Sequence, residues 1–257
     1  MALQAFHFKK FKVEQAGAAH PVGTDAVLLG AWADVSDTKR FLDIGTGTGV
    51  VALMLAQRLS ESSAWAGTGV ELHANSAALA RRNFAESPWA NQLELWAGAV
   101  QDFGELKLGA KTQDSGLLPT PEVCHFDLIV SNPPFFSELT VSPDKTRSLG
   151  RHTATLSQLD LIAAARRLLA PKGRFCVVLP EREGRKLCEL AVQNGLYWTR
   201  VTEVRSRPGK PVERLLLQFE RSPYDLQCSE ICVYNGASGN GYSAEFRALT
   251  GAFYLGG

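Results

Sequence analysis

Apolar positions along this chain fall into two alternating kinds of block. RFLDIG (40–45) is a short apolar run stopped by glycine, and VVALMLAQRL (50–59) carries its apolar residues at helical spacing. WAGTGVEL (65–72) reads as a strand, ANSAALARRNFAE (74–86) as a helix, LELW (93–96) as a third strand and HFDLIVSN (125–132) as a fourth. LSQLDLIAAARRLLA (156–170) predicts a helix closed by Pro171 and Gly173, and RFCVVLP (174–180) a fifth strand. After a helix near 182–194, YWTRVTEV (197–204) and VERLLLQFE (212–220) flank the turn-rich RSRPGKP, which suits an antiparallel pair finishing the sheet. Regular alternation of strand and helix implies an α/β fold, with a mostly parallel seven-stranded sheet, a final antiparallel strand and helices on both faces. The polar, Gly- and Pro-containing stretch 104–123 is expected to be a surface excursion.

Two strand ends carry unusual chemistry. The fourth strand runs into Ser131-Asn132-Pro133-Pro134-Phe135-Phe136. Proline has no N–H and fixes its own φ, so the carbonyls around Asn132 leave the ladder rigidly aimed elsewhere. This is either a strand-ending turn with its aromatics folded onto the core, or a set of acceptors presented to a ligand. The first strand ends in Asp43-Ile44-Gly45-Thr46-Gly47-Thr48-Gly49, where alternate glycines allow a tight turn and close backbone approach at a helix N-terminus. Glu71, about twenty residues on at the next strand end, suits ribose hydroxyls. A dinucleotide site would use the same logic, although its usual spacing is G-x-G-x-x-G and the third glycine here comes one residue early.

Composition narrows these readings only a little. A chain of 257 residues, 45% hydrophobic, is long enough to bury a full core. Lys and Arg total 27 against 26 Asp and Glu, so any nucleic-acid contact must come from local clusters. Five scattered cysteines form neither a disulfide framework nor a zinc-type double pair, and Cys228-x-x-x-Cys232 reads as strand packing. No histidine has metal-ligand spacing, so no metal is expected. The N-terminal residues lack a signal-peptide core, and no apolar run approaches the roughly 18 residues of a membrane helix, so a cytoplasmic protein with no membrane contact is expected.

The run D-x-G-x-G-x-G with an acid ending the next strand resembles the S-adenosylmethionine-dependent methyltransferases, which implies a Rossmann-like class I fold. In their amino-methylating branch the fourth strand ends in N-P-P-[FY], matched here by Asn132, Pro133, Pro134 and Phe135. From Phe6 onward, FHFKKFKVEQ, VGTDAVLLGAW, LDIGTGTGVVALMLAQR, AVQDF, FDLIVSNPPFF, FCVVLPE and YSAEFRALTGAFYL resemble, in order and spacing, the bacterial family that makes N6-methyladenosine at position 37 of valine tRNA. VGTDAVLLGAW and the YSAEF…AFYL ending are the specific stretches.

That resemblance implies one methyltransferase domain over 1–257, with an N-terminal extension (1–36), a Rossmann-like core (37–222) and a C-terminal elaboration (223–257). It implies S-adenosylmethionine as cofactor, held by Asp25, Asp43, Gly45, Gly47, Gly49, Glu71 and Val100. The segment around Thr24 and Asp25, either of which is expected to cap a short helix, would close over the methionine end. Asn132, Pro133, Pro134 and Phe135 would be catalytic. A nucleobase amine is a poor nucleophile because its lone pair is delocalised; acceptors for its two N–H bonds favour pyramidal nitrogen, and Phe135 would stack on the base. The same tetrad serves enzymes that methylate a glutamine amide or guanine N2.

There are departures from the family pattern. Where the family carries A-D-I after the third strand, this chain has Gly98-Ala99-Val100, so the usual adenine-reading acid is missing; Asp102 either substitutes or faces water. Pro21 stands where the family often has a basic residue. The tRNA partner, met at its anticodon stem-loop, is expected to contact Lys145, Arg147 and Arg151 just after the tetrad, where His152 is a base contact or a helix-start residue. Lys9, Lys10 and Lys12, and Arg205, Arg207 and Lys210, are further basic clusters that read as solvated faces.

Overall fold

The structure, a computed structural model, describes residues 4–18, 20–62, 64–104, 125–134, 156–236 and 241–255. In chain order its elements are β1 (Phe6–His7), β2 (Lys12–Val13), α1 (Thr24–Trp32), β3 (Arg40–Ile44), α2 (Val50–Leu59), β4 (Ala66–Glu71), α3 (Ala74–Ala85) and β5 (Leu93–Ala97). Then follow β6 (Phe126–Ser131), α4 (Gln158–Leu168), β7 (Leu169–Pro180), α5 (Glu181–Gln193), β8 (Tyr197–Arg205), β9 (Arg214–Glu220), β10 (Gln227–Cys232) and α6 (Ala244–Thr250). Among the described residues no helix is long and apolar enough to cross a membrane.

The main sheet has the order β10-β8-β9-β7-β6-β3-β4-β5. From β3 the chain winds outward through β4 to β5, then returns to the other side of β3 as β6. The winding therefore reverses between β3 and β6, and the carboxyl ends of those two strands border the crevice where open α/β sheets bind ligands. Two cores cover the sheet. Leu128 and Val130 of β6 face a cluster with α1, α2, Phe84 of α3 and Phe246 of α6, whereas Ile129 faces a cluster with α4 and α5. This is the two-residue side-chain period of a strand buried on both faces.

The sheet differs from expectation in its eighth strand. β9 is antiparallel to both β7 and β8, as the pattern implied, but β10 is added outside β8 and runs parallel to it. β9 delivers the chain to the amino edge at Glu220, so a strand reached by the short segment 221–226 must run back upward beside β8. The cysteine pair does lie on this strand, yet Cys228 is exposed and Cys232 only half-buried, so packing does not explain it.

A second difference lies at Pro171 and Gly173, which are inside β7 rather than beyond a helix. Helix α4 stops at Leu168, and the β6–β7 register jumps from Phe126↔Leu169 to Leu128↔Arg174. The extra residues bulge out of the ladder, where a proline without an N–H is tolerated. A Cβ at Gly173 would sit 2.8 Å from the Phe126 carbonyl oxygen, so only glycine fits there.

The chain termini are knitted together. Lys9 N donates to Phe253 O at 2.8 Å, Phe8 bridges to Tyr254, and Phe8, Phe11 and Phe253 are buried. Lys9 and Lys10 lie between β1 and β2.

Candidate active site

Asp43, at the end of β3, is 1% exposed. Its Oδ2 accepts from Thr46 Oγ1 at 2.6 Å and from Ala52 N at 3.2 Å. The second bond satisfies one of the N–H groups left open in the first turn of α2. The carboxylate therefore braces the glycine turn from inside. Burial pushes it up to about 7; the Thr46 and Ala52 donors pull the other way, and the Glu71 carboxylate raises it further.

All three glycines of the turn have positive φ: Gly45 at 70°, Gly47 at 57° and Gly49 at 85°. Gly49 must also admit Phe84, whose ring would stand 2.6 Å from a Cβ there. At Gly45 and Gly47 a Cβ would meet nothing within 4 Å, so their backbone is open to a ligand.

Glu71, ending β4, is 6% exposed and aimed back at this turn. Gly47 N donates to its Oε2 at 2.9 Å and His73 N to its Oε1 at 2.8 Å. Each oxygen thus holds one backbone N–H and retains a lone pair for a hydroxyl. A buried acid beside an open glycine turn fits the ribose of an adenosyl cofactor.

The segment after β5 completes this side. Gly98 N donates to Glu71 O at 2.9 Å, and Asp102 N to Ala99 O at 3.0 Å. Val100 is buried and Asp102 is exposed. Arg167, from the last turn of α4, donates to Phe103 O (2.7 Å), Val100 O (2.9 Å) and Gln101 O (3.2 Å). One guanidinium so fixes three carbonyls of a loop that has no ladder partner.

Across the crevice, Ser131 is the register partner of Ile44, and its Oγ donates to Ile44 O at 2.8 Å. Asn132 and Gly45, the next residue on each strand, therefore leave the sheet side by side. Asn132 is half-buried, Pro133 buried and Pro134 exposed. Phe135 lies outside the described residues, as do Lys145, Arg147, Arg151 and His152.

Neither Thr24 nor Asp25 supplies the expected side-chain cap of α1: Gly23 is the N-cap, with no side-chain cap bond, and Asp25 Oδ2 accepts from Arg214 Nε at 2.8 Å. The two outlying basic clusters are engaged locally: Lys12 pairs with Glu14 and Glu86, Arg205 with Glu203 and Glu230, and Arg207 stacks over Tyr234. Sequence reasoning missed Thr46, Ser131, Arg167 and Asn83, polar residues that hold the site's backbone. Asn83 alone left a signal, a polar residue in line with Ala77 and Ala80 on the buried stripe of α3.

Residues 22–190 match the methyltransferase small domain, and the chain belongs to that family of S-adenosylmethionine-dependent methyltransferases. Within it the chain is related over nearly its whole length to bacterial proteins named tRNA1(Val) (adenine(37)-N6)-methyltransferase. One from Aeromonas salmonicida is 40% identical, covering 97% of each chain; another from Tolumonas auensis is 37% identical, covering 99% of this chain and 98% of its own. Among solved structures, a predicted O-methyltransferase from Agrobacterium tumefaciens superposes with a TM-score of 0.63 at 19% identity, covering 89% of this chain and 96% of its own. An O-methyltransferase from Bacillus cereus, solved with S-adenosylhomocysteine, gives 0.52 at 18% identity, covering 79% and 83%. These two likenesses establish the class I methyltransferase fold.

Proposed function

We propose that the protein transfers a methyl group from S-adenosylmethionine to N6 of adenosine 37 in valine tRNA. The observation that carries this reading is the Ser131–Ile44 bond, which fixes the Asn132-Pro133-Pro134 run against the open glycine turn. The near full-length relationship to proteins named for that reaction supports this choice of substrate.

S-adenosylmethionine, when bound, supplies a methyl group on a sulfonium. Glu71 would take the ribose hydroxyls, Gly45 and Gly47 would admit the cofactor to the backbone, Asp43 and Gly49 would hold the turn, and Val100 would pack near the adenine. Asp25 would close the methionine end from α1, held in place by Arg214. The Asn132 side-chain oxygen and a carbonyl of the Pro133-Pro134 pair would accept the two N–H bonds of the target amine, favouring pyramidal nitrogen. No strong base is needed, because methylated N6 would carry a positive charge and lose its surplus proton to water; Asp43, 1% exposed and with Oδ2 engaged inside the turn, is not placed to take it. Phe135 would stack on adenine drawn out of the anticodon loop, an interaction worth about 1–3 kcal/mol. Lys145, Arg147 and Arg151 would neutralise tRNA phosphates. In this reading 37–222 is the catalytic core, and 1–36 and 223–257 are its elaborations.

Incubation with tritium-labelled cofactor and bulk tRNA, ribosomal RNA or protein tests the substrate class. Label is expected in tRNA. Label in ribosomal RNA or in protein would move the activity to guanine N2 or a glutamine amide.

A further inference from the structure

Asn83, on α3, is 2% exposed and lies on the stripe that packs against the sheet. A buried amide must have partners, and this one has three. Its Oδ1 accepts from Glu14 N at 2.9 Å, while Nδ2 donates to Glu14 O at 3.0 Å and to Thr48 O at 2.8 Å. The first two bonds grip both backbone groups of one N-terminal residue, as a neighbouring strand would. The third reaches the middle of the glycine turn.

Thr48 lies between Gly47 and Gly49, both at positive φ. A peptide plane beside glycine reorients easily, because no Cβ resists it. The Asn83 amide fixes this plane by its carbonyl, and Thr46 O accepts from Gly49 N at 2.8 Å on the other side. The gripped residue, Glu14, begins a strap that is itself held closed. Gln15, 8% exposed, donates from Nε2 to Gln4 O and accepts from Val22 N, each at 2.9 Å, so the residue after Glu14 is tied to the residue before the N-cap of α1.

We infer that Asn83 is a positioning residue that ties the N-terminal strap to the glycine turn and holds that turn in its cofactor-binding shape. The inference rests on the proposed use of the turn by S-adenosylmethionine. Asparagine suits the position because one planar group supplies the acceptor for Glu14 N and the two donors for Glu14 O and Thr48 O. Preorganisation of this kind raises affinity by sparing the ordering cost on binding.

The test is calorimetric binding of S-adenosylhomocysteine, well below each protein's melting temperature, to wild type, Asn83→Ala, Asn83→Asp and Leu187→Ala. Leu187 is fully buried in the other core cluster, so its truncation lowers stability without touching the strap or the turn. Asn83→Ala should weaken binding about tenfold. Asn83→Asp should be at least as weak, because its carboxylate would face the Glu14 and Thr48 carbonyls. Leu187→Ala should bind like wild type despite its lower melting temperature. Wild-type affinity in Asn83→Ala, or an equal loss in Leu187→Ala, would overturn the inference while leaving the proposed activity intact. Wild type that does not bind would remove the proposed activity, and the inference with it.

Discussion

Arg214 Nε donates to Asp25 Oδ2 at 2.8 Å, joining residues 189 positions apart. The pair ties the first turn of α1 to the first residue of β9 at the carboxyl edge of the sheet, and it is only partly screened, with 32% and 23% of the two side chains exposed. A double-mutant cycle of Asp25→Asn and Arg214→Ala is expected to give a coupling of about 0.5–1 kcal/mol in thermal or urea unfolding. Asp25→Asn should also raise KM for S-adenosylmethionine beyond what its stability loss explains. Additive single effects would show that the contact does not hold α1 in place.

Asp43 sets a pH dependence of stability. Its folded pKa is raised by burial to about 7 from 3.8, so between those values the folded state keeps a proton that the unfolded chain releases. Stability therefore falls as pH rises from about 4 to 7 and levels off above, a change on the order of a few kcal/mol for this group. In Asp43→Asn the amide oxygen keeps the Thr46 and Ala52 donors without a charge. Urea unfolding across pH 5–8 should show a flatter profile for the variant and a gain over wild type at pH 8. An equal slope in both would mean that Asp43 is ionised throughout.

Glu71 is the most exacting test of the cofactor site. Glu71→Ala should weaken S-adenosylhomocysteine binding by roughly 1–3 kcal/mol, through loss of charged hydrogen bonds to the ribose. Glu71→Gln should lose less, because one oxygen remains to accept from backbone and ribose. Unchanged affinity in Glu71→Ala, read by calorimetry, would remove Glu71 from the site.

The glycine turn and the N-P-P run were legible in the sequence because glycine and proline act through the backbone itself. Residue type alone makes positive φ accessible at Gly45, Gly47 and Gly49, where the structure has it, and removes the donors at Pro133 and Pro134. At Pro171 and Gly173 the same punctuation misleads, because the β6–β7 bulge absorbs both inside a strand. A strand at 228–232 was expected, but the place of β10 in the sheet has no mark in the sequence: its residues are mostly exposed and show no apolar alternation, so that place comes from pairing with β8. Partners distant in sequence, such as Arg167 with Val100 or Arg214 with Asp25, leave no local mark.

Asn132 is expected to act on the chemical step alone. Asn132→Ala should slow single-turnover methylation about 10²–10³-fold, the range for loss of one transition-state hydrogen-bond partner, with cofactor affinity nearly unchanged. A variant that melts many degrees lower yet methylates at the normal rate when folded would make the run a strand-ending turn.

Nucleoside mass spectrometry of unmodified valine tRNA, after incubation with the protein and S-adenosylmethionine, reads the product directly. The site geometry and the family relationship predict one N6-methyladenosine per tRNA, mapped by nuclease digestion to position 37 and absent when adenosine 37 is replaced by guanosine. A methylated guanine, a methyl group elsewhere in the tRNA, or an unmodified product would contradict it.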